Sequence, residues 1–147
     1  MSVDFTMKFN YKKFSLSNKS DFFGAAIFKP IIPVKIFYGE QALKYDALVD
    51  SGADFCIFDA EVGEYLGIDI RSGRKEKFGG IQELRGAVAY LHKIDLNIGG
   101  WDYRTIISFS YDIAKRGFGI LGQKGFFDIF IVKFDLKKEL IELKERK

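Results

Sequence analysis

Apolar and polar residues alternate with a period of two along most of the chain, which predicts β-strands with one buried face. At the start, Val3, Phe5, Met7 and Phe9 are apolar and the residues between them are polar. The same alternation, or a short apolar run, predicts further strands at residues 25–28, 31–38, 43–49, 88–98, 101–109, 118–121, 131–134 and 140–143. We therefore expect an all-β protein.

Turn and cap residues predict how these strands are joined. The Gly99-Gly100 pair between two predicted strands is a signal for a two-residue hairpin turn. Asp59 is expected to cap a short helix that Gly67 ends. Residues 124–130 are expected to form one or two helical turns. The prediction is a β-domain with one or two short helices.

Composition and charge narrow the class of protein. A length of 147 residues fits one domain, and 48% hydrophobic with 29% charged residues is typical of a globular protein. A net charge of +3 is too small to indicate a nucleic-acid partner. One cysteine excludes an internal disulfide and suits a reducing compartment. Because residues 1–13 do not resemble a signal peptide and no apolar run approaches ~20 residues, we expect a cytoplasmic protein without a membrane partner.

The segment most informative about chemistry is residues 47–54, Ala-Leu-Val-Asp-Ser-Gly-Ala-Asp, in which an apolar strand leads into an acid. A carboxylate at the end of a buried strand is unfavourable unless partners satisfy it or a reaction uses it. Ser51 offers a hydroxyl to the neighbouring backbone, and Gly52 permits close approach of another segment. The triplet that begins at Asp50 also occurs in plain tight turns, so the triplet by itself leaves both interpretations open.

A second motif lies 70 residues after Asp50, where Ile120, Leu121 and Gly122 form an apolar-apolar-glycine triplet behind a glycine-rich approach. Together, the two motifs resemble those of the retropepsin-like aspartic protease family. The resemblance extends over roughly residues 30–143, and it is to the retropepsin-like proteins of cellular genomes more than to those of viruses.

The resemblance implies a fold and an assembly. The fold is an acid-protease β-barrel, closed or nearly closed, with a psi-shaped crossing of loop and strand under the active site. The assembly is a symmetric homodimer that acts on a protein or peptide substrate. On this basis the protease domain is residues 30–147, and residues 1–29 are an N-terminal extension with an extra strand.

The resemblance also implies the site residues. Asp50 is the catalytic residue, one from each protomer, and it activates a water molecule with neither a cofactor nor a metal. The other implied site residues are Ser51, Gly52 and Ala53 in the active-site loop, Asp54, Gly79, Gly80 and Ile81 at the substrate, and Ile120, Leu121 and Gly122 in the psi strand. Gly79, Gly80 and Ile81 belong to a flap, a hairpin that closes over the substrate.

One departure from the family pattern leaves alternatives open. Viral members have an arginine directly after the psi-strand glycine, whereas this chain has Gln123. An arginine–aspartate pair with Asp54 is therefore in doubt, and Asp54 is equally well interpreted as an ordinary loop acid. The alternative function is a non-catalytic module for dimerisation or peptide binding. Cys56 is interpreted as a buried structural thiol, and His92 has no companions for a metal site.

Overall fold

The structure, a computed structural model, describes residues 5–78 and 86–146. Within these residues the chain is built mainly of strands: β1 (Thr6–Asn10), β2 (Lys12–Ser20), β3 (Gly24–Lys29), β4 (Ile31–Tyr38), β5 (Gln41–Val49), β6 (Ile57–Asp59), β7 (Arg74–Phe78), β8 (Ala87–Ile98), β9 (Trp101–Ser110), β10 (Phe118–Leu121), β11 (Phe130–Asp135) and β12 (Leu140–Glu145). One short helix, α1, is Ala60–Tyr65, and a 3₁₀ turn covers Ile70–Ser72.

Six of these strands close into a barrel. Their order is β4-β5-β10-β6-β9-β8, and pairing of β4 with β8 completes the ring. The β5–β10 and β6–β9 pairs are parallel, and the other pairs of the ring are antiparallel. β7 extends the sheet beyond β8. The predicted all-β closed barrel is confirmed.

The barrel interior follows from the alternation in the sequence. In β8, for example, Ile94, Leu96 and Ile98 are fully buried, whereas Lys93 points outward and is exposed. Large aromatic side chains contribute to the core, where Phe58 packs against Phe109 and Phe126 against Phe130. The fully buried phenylalanines are Phe58, Phe109, Phe126 and Phe130. Core packing thus accounts for part of the high phenylalanine content.

A three-stranded antiparallel sheet, β1-β12-β11, packs onto this core. Met7 of β1 lies opposite Leu143 of β12, and both side chains belong to the same buried cluster as the barrel residues. The strand predicted near the N-terminus is thus β1, and it pairs with the last strand of the chain. The division into an extension and a domain at residues 29 and 30 stays a prediction.

The hairpin formed by β2 and β3 differs from the sequence prediction. These two strands form a sheet of their own, and β2 was not predicted. Its signal was present but weak, because Phe14 and Leu16 alternate among lysines and serines. At the tip of the hairpin, Phe22 is 88% exposed. Pairing with β3 across the hairpin, rather than the apolar pattern of β2 itself, therefore decides the structure of β2.

Two local predictions are confirmed at the ends of elements. The Asp59 carboxylate accepts a hydrogen bond from the backbone N–H of Glu61 at 2.9 Å and caps α1. Gly67 follows the helix with φ of +81°, a conformation that glycine adopts without strain. Gly99 and Gly100 join β8 to β9 with φ of +60° and +90°, as a two-residue hairpin turn of this kind requires.

The helical turns predicted at residues 124–130 are present only as irregular turns, and no regular helix forms there. The segment is a succession of turns, in which the N–H of Phe130 donates to the carbonyl of Phe126 at 3.0 Å. Gly125 has φ of +104°, which is incompatible with a right-handed helix and explains the interruption. Among the residues described, no helix has the length and apolar character needed to cross a membrane.

We expect Phe130→Ala to lower the free energy of unfolding by about 3–5 kcal/mol, because it leaves a cavity between Phe126 and Tyr103 in the core. Phe22→Ala is the matched control at an exposed position, and its effect should stay within about 0.5 kcal/mol. Urea unfolding monitored by circular dichroism measures both values. Equal losses in the two variants would contradict the assignment of Phe130 to the core.

Candidate active site

The candidate site is built where three strand segments meet. β10 lies between β5 and β6, parallel to β5 and antiparallel to β6. Residues 50–56 connect β5 to β6 and therefore loop around the C-terminal end of β10. This is a psi-shaped crossing, and it places Asp50 directly after the last residue of β5. The structure thus brings together the two motifs that are 70 residues apart in the sequence.

Backbone hydrogen bonds fix the loop to the segment that follows β10. The N–H of Asp50 donates to the carbonyl of Leu121 at 3.0 Å. On the other side of the crossing, the N–H of Gln123 donates to the carbonyl of Ala53 at 2.8 Å, and the N–H of Lys124 donates to that of Asp54 at 2.9 Å. Because donors and acceptors of both segments are paired, the loop has a defined position relative to the strand.

Gly122 is required at the crossing by close packing. A Cβ atom on Gly122 would lie 2.7 Å from the carbonyl carbon of Phe55 and 2.8 Å from the carbonyl oxygen of Ala53. Three residues earlier, a Cβ atom on Gly119 would lie 2.7 Å from Cγ of Phe58. Carbon atoms at such distances overlap strongly. The glycines of the second motif therefore allow β10 to pass close beneath the loop.

Asp50 is partly exposed, and its surroundings orient the carboxylate while leaving it accessible. Its Oδ1 accepts a hydrogen bond from the N–H of Gly52 at 2.9 Å, which fixes the orientation of the side chain. The N–H of Ala53 donates to the carbonyl of Asp50 at 3.2 Å and tightens the turn. Within the described ranges, no lysine or arginine forms an ion pair with Asp50. One face of the carboxylate thus stays available to water or to another carboxyl group.

Gln123, the residue directly after Gly122, has a specific contact in the structure. Its side-chain amide donates to the carbonyl of Ser51 at 2.9 Å. The residue after the psi-strand glycine therefore supports the active-site loop within one chain, a role that the sequence did not reveal. The signal in the sequence that could have indicated this role is the position of Gln123 directly after Gly122. The carboxylate of Asp54 forms no hydrogen bond or ion pair within residues 5–78 and 86–146.

Cys56 is a buried structural thiol, as predicted. Its sulfur accepts from the N–H of Gly122 at 3.4 Å and donates to the carbonyl of Lys124 at 3.6 Å. Burial raises the pKa of the thiol to about 12, the donated Gly122 hydrogen bond lowers it, and the charge of Asp128 raises it further. The thiol therefore stays protonated and links the loop to the segment beyond β10.

The predicted flap falls only partly within the described residues. Its stem is the antiparallel pair β7–β8, which ends where Phe78 lies opposite Ala87. The Phe78 ring contacts the ring of Phe55 edge-on, with 5.9 Å between centroids, so the stem touches the active-site loop. The predicted flap residues Gly79, Gly80 and Ile81 lie outside the described residues.

A groove begins beside the active-site loop. We call its first section the near groove; it has a volume of about 410 Å³ and is lined by Asp54, Phe55, Arg74, Glu76, Leu91, Ile106 and Lys124. It offers both apolar and charged side chains to a bound chain. Within residues 5–78 and 86–146, no group of three or more His, Cys, Asp or Glu side chains is placed to hold a metal ion. His92 instead bonds the carbonyl of Ile70 at 2.8 Å.

Comparison with known proteins supports the fold. No family model matches the sequence, and no curated protein matches it significantly. A retropepsin-like aspartic protease from Rickettsia conorii is similar in structure, with 15% identity, coverage of 99% of this chain and 94% of that chain, and a TM-score of 0.57. The retroviral protease-like domain of Ddi1 from Leishmania major is similar as well, with 20% identity, coverage of 81% and 94%, and a TM-score of 0.52.

A viral protease is more distant. EIAV protease, complexed with the inhibitor HBY-793, is 20% identical over 65% of this chain and 82% of that chain, and its TM-score of 0.46 is too low to carry an argument. At such identities a likeness in structure is evidence for the fold. The chain has the retropepsin-like fold, so the predicted resemblance is confirmed at that level.

We expect Gly122→Ala to lower the free energy of unfolding by about 1–3 kcal/mol, because the added methyl group overlaps backbone atoms that have no room to move. Gly52→Ala is the control in the same loop: its Cβ atom would meet only Oδ1 of Asp50, at 3.3 Å, so its loss in stability should be smaller. Chemical unfolding of both variants makes the comparison. A larger loss in Gly52→Ala would contradict the close crossing at Gly122.

We also expect Cys56 to be unreactive in the folded protein. With a pKa of about 12 the folded thiol is only about 10⁻⁴ ionised at pH 8, and the thiolate is the reactive form. Since the pKa is raised on folding, this contribution to stability is present below about pH 9 and is lost as the pH rises toward 12. Reaction with an aromatic disulfide reagent, with and without urea, measures the protection. Similar rates in the two conditions would contradict it.

Proposed function

We propose that this chain, which has the retropepsin-like fold, is an aspartic endopeptidase that works as a homodimer. Two Asp50 carboxyl groups, one from each protomer, would meet across the two-fold axis. The observation that carries the proposal is the placement of Asp50. It is held at the psi crossing by the N–H of Gly52, is partly exposed, and has no ion-pair partner among the described residues.

A second copy is needed because the motif that contains Asp50 occurs once per chain. Two like carboxylates at hydrogen-bonding distance do not both ionise, so the pair holds one proton, as is established for aspartic proteases. The dyad then contains an acid and a base at the same pH. A symmetric dimer whose interface includes the exposed Ser51 and Gly52 places the two groups together.

The chemistry follows from that shared proton. The ionised Asp50 takes a proton from a water molecule. At the same time the oxygen of that water attacks the carbonyl carbon of the scissile peptide bond. The protonated Asp50 donates a hydrogen bond to the oxygen on which negative charge develops. The proton then passes to the leaving amine as the C–N bond breaks, and the dyad again holds one proton. This route needs neither a covalent intermediate nor a metal.

The neighbouring residues receive proposed roles. The Ser51 hydroxyl would bond across the dimer, since it is exposed and makes no hydrogen bond within residues 5–78 and 86–146. Gly52 would present its carbonyl to the substrate backbone, and Asp54 would contact the substrate at the near groove. Gly79, Gly80 and Ile81 keep their predicted role in a flap. The single cysteine, buried and reduced, fits the expected cytoplasmic location.

The alternative is a non-catalytic dimerisation or peptide-binding module with the same barrel. The two functions differ in what they require of Asp50. Catalysis requires an ionisable carboxyl group in each protomer, whereas a binding module tolerates an amide of the same shape. Substitution of Asp50 by asparagine therefore separates the two.

We expect wild type to cleave peptides from a diverse library between pH 4 and 7, and Asp50→Asn to lower kcat by at least about 10³-fold, because the amide cannot exchange the proton. Asp69→Asn, at an exposed aspartate that makes no capping hydrogen bond, is the matched control and should retain activity. Sedimentation in the same buffers checks the assembly. Dimers of wild type that cleave no peptide would favour the binding module.

Mixing wild type with excess Asp50→Asn tests whether each site draws one carboxyl group from each protomer. At constant total protein concentration, mixed dimers hold a single Asp50, so activity should fall roughly with the square of the wild-type fraction once subunits have exchanged. Asp69→Asn added in the same excess is the control and should not reduce activity. A linear fall would show that one chain carries a complete site.

A further inference from the structure

The groove beside the active-site loop continues away from Asp50. We call its second section the far groove; it has a volume of about 490 Å³, and Lys93, Arg104, Asp128 and Ile129 are among its lining residues. Ile106 and Lys124 line both sections, so the near and far grooves form one path. A chain that leaves the active-site loop through the near groove therefore enters the far groove.

The strand register explains why the path is continuous. In the β8–β9 hairpin, Leu91 lies opposite Ser108, Lys93 opposite Ile106, and Asp95 opposite Arg104. Residues two apart on a strand share a face, so Leu91 and Lys93 of β8 and Arg104 and Ile106 of β9 lie on the same face of the hairpin. The segment after β10, from Lys124 to Ile129, forms the opposite wall. The β8–β9 hairpin and the turns after β10 therefore form the two walls of the groove.

The two sections differ in charge. The near groove has Arg74 and Lys124 against Asp54 and Glu76, so its formal charge is zero. The far groove has Lys93, Arg104 and Lys124 against Asp128, which gives a formal charge of +2.

Two cations of the far groove are available to a ligand. Neither Lys93 nor Lys124 forms an ion pair or a side-chain hydrogen bond within residues 5–78 and 86–146. Arg104 is paired with Asp95 at 3.4 Å, and the Asp128 carboxylate already accepts from the N–H of Gly125 at 3.0 Å. The groove therefore offers unpaired positive charge, while its one lining carboxylate is partly engaged.

We propose that the far groove is an exosite that binds an acidic stretch of the polypeptide substrate. This inference rests on the proposed function, because the groove is reached through the active-site loop. Ser108 and Arg104 are four residues apart on β9, which is about 14 Å along the strand. An extended peptide bound beside the strand spans this distance with about four residues. The acidic stretch therefore lies several residues from the scissile bond.

Two further features fit a polypeptide. Ile106, 37% exposed, and Ile129 give the far groove an apolar floor against which side-chain methylene groups pack. In a two-fold dimer each protomer supplies one groove, so acidic residues on either side of the scissile bond would be bound. The exosite contributes to substrate selection by charge complementarity, which acts on affinity and association rate rather than on the chemical step.

Binding is tested without catalysis, on the Asp50→Asn protein with a fluorescein-labelled hexaglutamate peptide and a hexaglutamine peptide for comparison. We expect anisotropy to show binding of hexaglutamate that weakens with salt, and weaker binding of hexaglutamine. Lys93→Glu should reduce the affinity about fivefold or more, because it replaces an attraction with a repulsion. Lys137→Glu makes the same charge change at an exposed turn far along the sequence and is the matched control. It should not reduce the affinity for hexaglutamate. No binding of hexaglutamate, or equal losses in both variants, would overturn the exosite.

A polyanion of another class provides a specificity arm. An eight-residue thymidine oligonucleotide should compete less well than hexaglutamate at equal charge concentration. Stronger competition by the oligonucleotide would overturn the assignment to a polypeptide.

Cleavage provides the second readout and separates the two proposals. A cleavable peptide with four glutamates added at either end should have a lower KM than its four-glutamine counterpart, and Arg104→Glu should reduce that ratio. If wild type cleaves but the ratio is one, the exosite fails and the protease stands. If no peptide is cleaved yet hexaglutamate binds in a Lys93-dependent way, the proposed catalysis fails and the anionic-peptide site stands.

Discussion

The architecture depends on one close contact, the passage of β10 beneath the loop that joins β5 to β6. At Gly122 the backbone of the psi strand lies against the carbonyls of Ala53 and Phe55, with no space for a side chain. The same segment is part of the barrel, because β10 is the strand that connects β5 to β6 in the ring. It also positions Asp50, whose N–H is bound by Leu121. Fold and candidate site therefore share a single structural constraint.

The electrostatics of the loop follow from that position. The N–H of Gly52 holds the Asp50 carboxylate, and no cationic side chain pairs with it among the described residues. The reactivity of the carboxylate therefore depends on the group that approaches it. In the proposed dimer this is a second carboxyl group. Gln123 stabilises the loop by a neutral hydrogen bond to the carbonyl of Ser51. An amide adds no positive charge near the proposed pair of Asp50 carboxyl groups, which would share one proton.

Sequence patterns predicted most of the fold, and the errors have identifiable physical causes. The alternation in β8 and β9 and the turn between them are determined locally, so they were predictable from residues close in sequence. β2 was missed because its stability comes from pairing with β3 rather than from a strong apolar pattern. The helical turns predicted after β10 are interrupted at Gly125, whose positive φ accompanies close packing against the carbonyl of Ile106.

The sequence by itself determined most of the strands, the acid that ends β5 and the glycines that allow a close crossing, because each depends on the chemistry of neighbouring residues. Only the tertiary structure decided that Gln123 binds Ser51, that Cys56 links the loop to the segment beyond β10, and that one groove leads from Asp54 into a cationic section. Those features join residues distant in the chain. Their geometry is set by barrel closure, which no local pattern encodes.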